Sequence, residues 1–145
     1  MFGRILIVDD EPDMLRLFEM MIKAKTAYQV STTINSAEVA EMVADGGFDM
    51  VITDLRMPDK DGIEIIEESR EKGVDVPFVV ITAYGTIESA IEAMKKGAFD
   101  YITKPFRKEQ ILLTIERAMK FRRLQRENEW LRNEVERLGG KATPE

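Results

Sequence analysis

The sequence predicts a doubly wound α/β domain that carries an extended C-terminal helix. Short apolar runs alternate with amphipathic stretches along most of the chain. Two of those runs, Ile5-Leu6-Ile7-Val8 and Phe78-Val79-Val80-Ile81, are apolar at every position, as expected of strands covered on both faces. After Pro105-Phe106 there is no helix breaker until Gly139-Gly140, a span of about 32 residues or roughly 48 Å at helical rise.

Five strands are expected, at residues 5–8, 28–33, 49–53, 78–82 and 99–103. The stretches between them carry apolar residues at helical spacing, such as Met14, Leu17, Phe18, Met21 and Ile22 in the first and Ile87, Ala90, Ile91 and Met94 in the fourth. Pro12 suits a first helical turn, and Gly46, Gly73 and Gly97 are available for left-handed C-terminal caps. Strand and helix alternating through right-handed crossovers give a parallel sheet with helices on both faces. The fifth helix presents Ile111, Leu112, Ile115 and Met119 to the sheet, then changes its repeat. Phe121, Leu124, Asn128, Leu131, Val135 and Leu138 alternate spacings of three and four residues, the seam of a coiled coil. Asn128 on that seam hydrogen-bonds its own copy in a parallel pair, and Glu127 can meet Arg132 of the partner helix, so a homodimer is expected. The alternative is a lone amphipathic helix lying on another domain. Residues 1–119 then form the globular domain, 120–138 the coiled-coil linker and 139–145 a flexible end.

Composition narrows the chemistry. A chain of 145 residues with 44% hydrophobic content can bury one core and is too short for two ordinary domains. A net charge of −6 argues against a general binder of nucleic acid or membrane surfaces, so no direct nucleic-acid contact by this chain is expected. Charged residues interrupt every apolar stretch, leaving no signal-peptide or transmembrane run, and a cytoplasmic location is the expectation. The sequence has no Cys and no His, which removes disulfides, thiolates, serine-type triads and imidazole ligands. Carboxylates, hydroxyls and lysine remain. The basic residues Arg117, Lys120, Arg122, Arg123 and Arg126 invite comparison with the basic region of a zipper transcription factor, but the stretch is short and the protein acidic. A solvated helix face is the expectation. Trp130 lies outside the seam and is expected to touch some other surface.

In an open α/β sheet, ligands bind beyond the carboxyl ends of the strands. Asp9 and Asp10 close the first strand, Asp54 the third and Thr82 the fourth, while Lys104 follows the fifth. Three carboxylates brought together repel one another unless a cation joins them, and Mg²⁺ is the natural one. Lys104 adds a point charge and Thr82 a hydroxyl for a phosphoryl group. An Asp-Asp pair, a strand-end Thr or a Lys-Pro dipeptide is ordinary singly; their joint placement at matching strand ends selects phosphoryl transfer. Two other phosphate chemistries fail on spacing, since no glycine-rich loop ends in Gly-Lys-Ser/Thr and no second aspartate stands two residues after Asp54.

Asp9-Asp10, Asp54-Leu55-Arg56-Met57-Pro58, Thr82-Ala83 and Lys104-Pro105 resemble, in type and spacing, the receiver domains of two-component response regulators over residues 4–119. The resemblance implies a flavodoxin-like strand order of 2-1-3-4-5. It implies that Asp54 is the nucleophile, taking a phosphoryl group from a phosphohistidine of a sensor histidine kinase. Mg²⁺ would be held by Asp10 directly and by Asp9 largely through water, with Asp54 and the Arg56 carbonyl completing the set. Lys104 would neutralise the phosphoryl group, Thr82 would hydrogen-bond it, and Tyr101 is the aromatic whose orientation follows. The family implies a cis Lys104-Pro105 bond; the residues themselves leave either isomer open. A Mg²⁺-dependent phosphatase is the alternative use of the same carboxylates, distinguished by multiple turnover. A purely structural dimeriser would be indifferent to Asp54→Ala.

The segments Thr82-Ala83-Tyr84-Gly85 and Gly97-Ala98-Phe99-Asp100-Tyr101-Ile102-Thr103-Lys104-Pro105-Phe106 are similar to receivers of the nitrogen-regulator type. In those proteins an ATPase domain and a DNA-binding domain follow, and transcription is activated with sigma-54 polymerase. Nothing after Gly140 is long enough for either output domain, so a fragment or a stand-alone regulator is expected. The resemblance further implies that an unphosphorylated dimer restrains the output domain and that phosphorylation rearranges it.

Overall fold

A computed structural model describes residues 3–139. Five parallel strands, β1 (Arg4–Val8), β2 (Gln29–Thr33), β3 (Met50–Thr53), β4 (Phe78–Thr82) and β5 (Asp100–Thr103), form one sheet in the order β2-β1-β3-β4-β5. The helices are α1 (Pro12–Lys25), α2 (Val39–Gly46), α3 (Gly62–Glu71), α4 (Ile87–Lys95) and α5 (Lys108–Arg137), and a 3-10 turn at Ser36–Glu38 precedes α2. Each expected strand is present to within a residue at its start. Successive strand residues point to opposite faces, which divides the apolar runs between two cores. Leu6, Val8, Val51 and Val80 pack with Val39, Ile65 and Ile66; Ile5, Ile7, Ile52 and Ile81 pack with Phe18, Ile22, Ile111 and Ile115. Each such side chain contributes about 1.5–3 kcal/mol by leaving water.

Helix ends follow the sequence with one correction. Pro12 opens α1, and Gly73 and Gly97 adopt positive φ after α3 and α4. After α2 the left-handed residue is Gly47 (φ +69), whereas Gly46 is the last helical residue. Gly46 is small for a packing reason, since a Cβ there would stand 2.9 Å from the Phe48 ring. The Lys104-Pro105 bond is cis.

Helix α5 is continuous for 30 residues. Ile111, Ile115, Ala118 and Met119 are buried against the sheet, and contacts with the body of the domain run on past Met119. The Phe121 ring lies 5.4 Å from that of Phe99. Gln125 Nε2 donates to Asp75 O at 2.9 Å, Arg122 Nη1 meets Asp75 Oδ1 at 3.0 Å, and Arg126 Nη2 meets Asp49 Oδ1 at 2.6 Å. The solvated face expected of the basic residues is therefore overturned for Arg122, whereas Arg126 pairs with Asp49 while still 53% exposed. The cause is position: α5 passes the amino end of β3, where buried Asp49 requires counter-charge. Residues 127–138 are exposed apart from Glu134. Among the described residues no helix is long and apolar enough to cross a membrane.

Candidate functional site

Backbone pairing at the carboxyl ends of the strands assembles the site. Asp54 N donates to Val8 O at 3.1 Å, Asp9 N to Thr33 O at 3.3 Å, and Lys104 N to Thr82 O at 2.9 Å. The side chains that follow these pairs therefore converge above β1, β3, β4 and β5. One carboxylate oxygen each from Asp9, Asp10 and Asp54 fall within 4.8 Å of one another. Asp9 and Asp54 are buried and Asp10 is exposed. Asp54 Oδ1 accepts the Leu55 N–H at 2.6 Å, and Oδ2 faces Lys104 Nζ at 3.9 Å. Asp9 Oδ1 accepts the Glu11 N–H at 3.0 Å.

The electrostatics of this group are unbalanced. Burial pushes the Asp9 carboxyl up to about 6; the Glu11 N–H and Lys104 oppose that rise, while Asp54 and Asp10 add to it. Lys104 alone offsets three carboxylates among the described ion pairs at the site. A donor set of hard oxygens with surplus negative charge fits a divalent cation such as Mg²⁺. Arg56, exposed at the rim, lines with Asp10, Asp59, Asp61 and Glu64 a cavity of about 450 Å³ beside this set.

Thr82 is buried, and its Oγ1 accepts the Tyr84 N–H at 3.1 Å. Tyr101 is half-buried, its hydroxyl sharing a hydrogen bond of 2.7 Å with Ser89 Oγ on α4. Of the expected site residues, Asp9, Asp10, Asp54 and Lys104 are brought together directly. Thr82 stands at the next strand end, and Tyr101 lies on β5 towards α4. The seam residues Phe121, Leu124, Asn128, Leu131, Val135 and Leu138 lie along the far part of α5, exposed in the single chain, with Phe121 also against Phe99.

Sequence reasoning missed three neighbours. A Cβ on Gly62 would meet Asp54 O at 2.5 Å, so only glycine lets α3 start against the backbone of Asp54. The signal was available, because Asp61 and Glu64 form the reciprocal capping box that marks this helix start. A Cβ on Gly85 would meet the Tyr101 hydroxyl at 2.8 Å, and Ser89 holds that hydroxyl. Neither pairing is visible in sequence spacing.

Comparisons with known proteins agree with this geometry. Residues 5–116 match the response regulator receiver domain family. Regulatory protein AtoC of Escherichia coli (strain K12) is 36% identical over 125 residues, covering 86% of this chain and 27% of AtoC. The crystal structure of NtrX from Brucella abortus superposes with a TM-score of 0.80 at 30% identity, covering 91% of this chain and 30% of that one. The solution structure of the beryllofluoride-activated NtrC4 receiver domain dimer gives a TM-score of 0.76 at 32% identity, covering 82% and 98%. The chain spans about a quarter of the length of the curated relatives it matches. Strand order, acidic site and family match agree, and the chain belongs to the response regulator receiver domain family of two-component signalling.

Proposed function

We propose that Asp54 is the phosphoacceptor of this receiver and that its phosphorylation rearranges a dimer built on α5. The observation that carries the reading is the convergence of Asp9, Asp10 and Asp54 within 4.8 Å, with Lys104 Nζ 3.9 Å from Asp54. Asp9, Asp10, Asp54 and the Arg56 carbonyl would hold Mg²⁺, and bound Mg²⁺ would offset the negative charge brought together by carboxylates and phosphoryl group. An Asp54 carboxylate oxygen attacks phosphorus of a phosphohistidine on a sensor histidine kinase. The phosphorus–nitrogen bond breaks, its electron pair stays on the imidazole, and an acyl phosphate forms on Asp54. Lys104 neutralises part of the incoming charge, and buried Thr82 turns its hydroxyl from Tyr84 N towards the new phosphoryl oxygens.

That turn links the site to the dimer. Movement of Thr82 and the Tyr84 segment frees space next to Thr82, into which Tyr101, now against Gly85, can move on leaving Ser89. The α4, β5 and α5 face responds, and α5 carries the change into the seam of Phe121, Leu124, Asn128, Leu131, Val135 and Leu138. Relatives that are transcriptional regulators support a parent protein in which this dimer controls ATPase and DNA-binding output domains, as in sigma-54-dependent activators. The unphosphorylated dimer restrains that output.

Intact mass after incubation with acetyl phosphate and Mg²⁺ tests the acceptor. Wild type gains one phosphoryl group and Asp54→Ala gains none; equal labelling of the two would refute the assignment. Small-angle scattering with and without beryllofluoride tests the rearrangement, and identical curves at saturation would rule it out.

A further inference from the structure

We infer that Ser36 is a positioning residue for the Mg²⁺ side of the site, acting through the turn at residues 58–60; the inference rests on the reading above. Asp59 has φ +72, a left-handed conformation that a non-glycine side chain adopts at a cost. Lys60 N donates to Pro58 O at 2.9 Å, closing a three-residue turn of a rare and strained kind around it. One hydroxyl from another loop secures both ends of that turn. Ser36 Oγ donates to Pro58 O at 2.6 Å and accepts the Lys60 N–H at 3.1 Å.

The position of Ser36 is itself fixed. It is 2% exposed, and it opens the 3-10 turn that Asn35 caps by accepting the Ala37 N–H at 3.1 Å. The turn it holds begins two residues after Arg56, whose carbonyl belongs to the proposed Mg²⁺ set, and lines the cavity shared with Asp10. The other end of the same loop is anchored where Gly62 N donates to Leu55 O at 2.8 Å beside Asp54. With Ser36 on one side and Gly62 on the other, the Arg56 carbonyl is held between two fixed points. Removing the hydroxyl leaves Pro58 O and Lys60 N with only each other, and the strained turn is then free to relax and carry the carbonyl away.

Titrating Mg²⁺ into the full chain by NMR tests this in Ser36→Ala, Asp10→Asn and wild type, with thermal melts alongside. Ser36→Ala should weaken Mg²⁺ binding about tenfold, as loss of an outer-shell support does. Labelling by acetyl phosphate should shift to higher Mg²⁺ by the same factor and reach an unchanged rate at saturation. Adding Asp59→Gly, which adopts φ +72 without steric cost, should return most of the affinity relative to Asp59→Gly alone. If Asp10→Asn loses Mg²⁺ affinity while Ser36→Ala binds as wild type and merely melts lower, Ser36 is structural and the inference fails. If Asp10→Asn also binds as wild type, the metal assignment fails and takes this inference with it.

Discussion

Two aspartates flank β3 and are treated in opposite ways. Asp49 precedes the strand; its Oδ2 accepts the Arg4 N–H at 2.9 Å, and its Oδ1 faces Arg126 Nη2 at 2.6 Å and Arg122 Nε at 3.8 Å. Those two guanidinium contacts are charge pairings, since neither Asp49 Oδ1 nor Arg122 Nε makes a well-aligned hydrogen bond. Asp54 follows the strand and is equally buried, yet it meets two more carboxylates and a single lysine at 3.9 Å. A buried carboxylate that serves stability is surrounded by cations. On the proposed reading Asp54 serves a ligand and is left short of cations, and the folded state bears the repulsion until the ligand arrives.

The contrast predicts that the amino end is the costlier place to cut. Asp49→Ala strips Arg4 N of its acceptor and two arginines of their counter-charge, and urea unfolding should show a loss of about 3–5 kcal/mol, as for breaking a buried pair. The folded fraction should still take up a phosphoryl group at wild-type stoichiometry by intact mass. A small loss of stability would mean that the clasp on α5 contributes little.

At the carboxyl end pH supplies the test. The Asp9 carboxyl ionises near 6 when folded and near its ordinary 3.8 when unfolded. Below the lower value both states hold the proton and there is no penalty. As pH rises between the two values the folded state keeps a proton that the unfolded state has lost, so stability falls, by up to about 3 kcal/mol above the folded value. Urea unfolding without Mg²⁺ at pH values bracketing this window should show the fall in wild type and a smaller one in Asp9→Asn. Equal slopes would remove Asp9 from the unbalanced set.

The two arginines should differ in a smaller way. Arg122, with 16% of its side chain exposed, bridges Asp49 and Asp75, whereas Arg126 is 53% exposed. Arg122→Ala should cost about 1–2 kcal/mol and Arg126→Ala less than about 1, because solvent screens the outer pair. Equal costs by urea unfolding would show that burial does not rank these contacts.

The carboxyl end was legible in the sequence and the amino end was not. Asp9, Asp10, Asp54 and Lys104 sit at strand ends, and strand ends can be found from apolar runs such as Ile5-Leu6-Ile7-Val8, so a parallel sheet brings them together whatever the details. Arg122 and Arg126 lie more than seventy residues from Asp49, and their meeting depends on the angle at which α5 leaves the sheet. On the helix itself they look like any basic residues facing water. Ser36 was hidden for a similar reason, because a serine after a strand reads as a helix cap, and its partners Pro58 and Lys60 belong to another loop. Gly46 and Gly47 show a finer limit: either could cap α2, and in the fold Gly47 takes the left-handed conformation while Gly46 packs against the Phe48 ring.

Thermal melting with and without Mg²⁺ at alkaline pH, on wild type, Asp10→Asn and Asp49→Ala, tests most directly that the two ends of β3 serve different purposes. Mg²⁺ should raise the midpoint of wild type by mass action on the folded state. Asp49→Ala should melt far lower yet keep the full Mg²⁺ shift. Asp10→Asn, relieved of one repelling carboxylate, should melt at or above wild type without Mg²⁺ and lose most of the shift. A full Mg²⁺ shift in Asp10→Asn, or its loss in Asp49→Ala, would contradict the division.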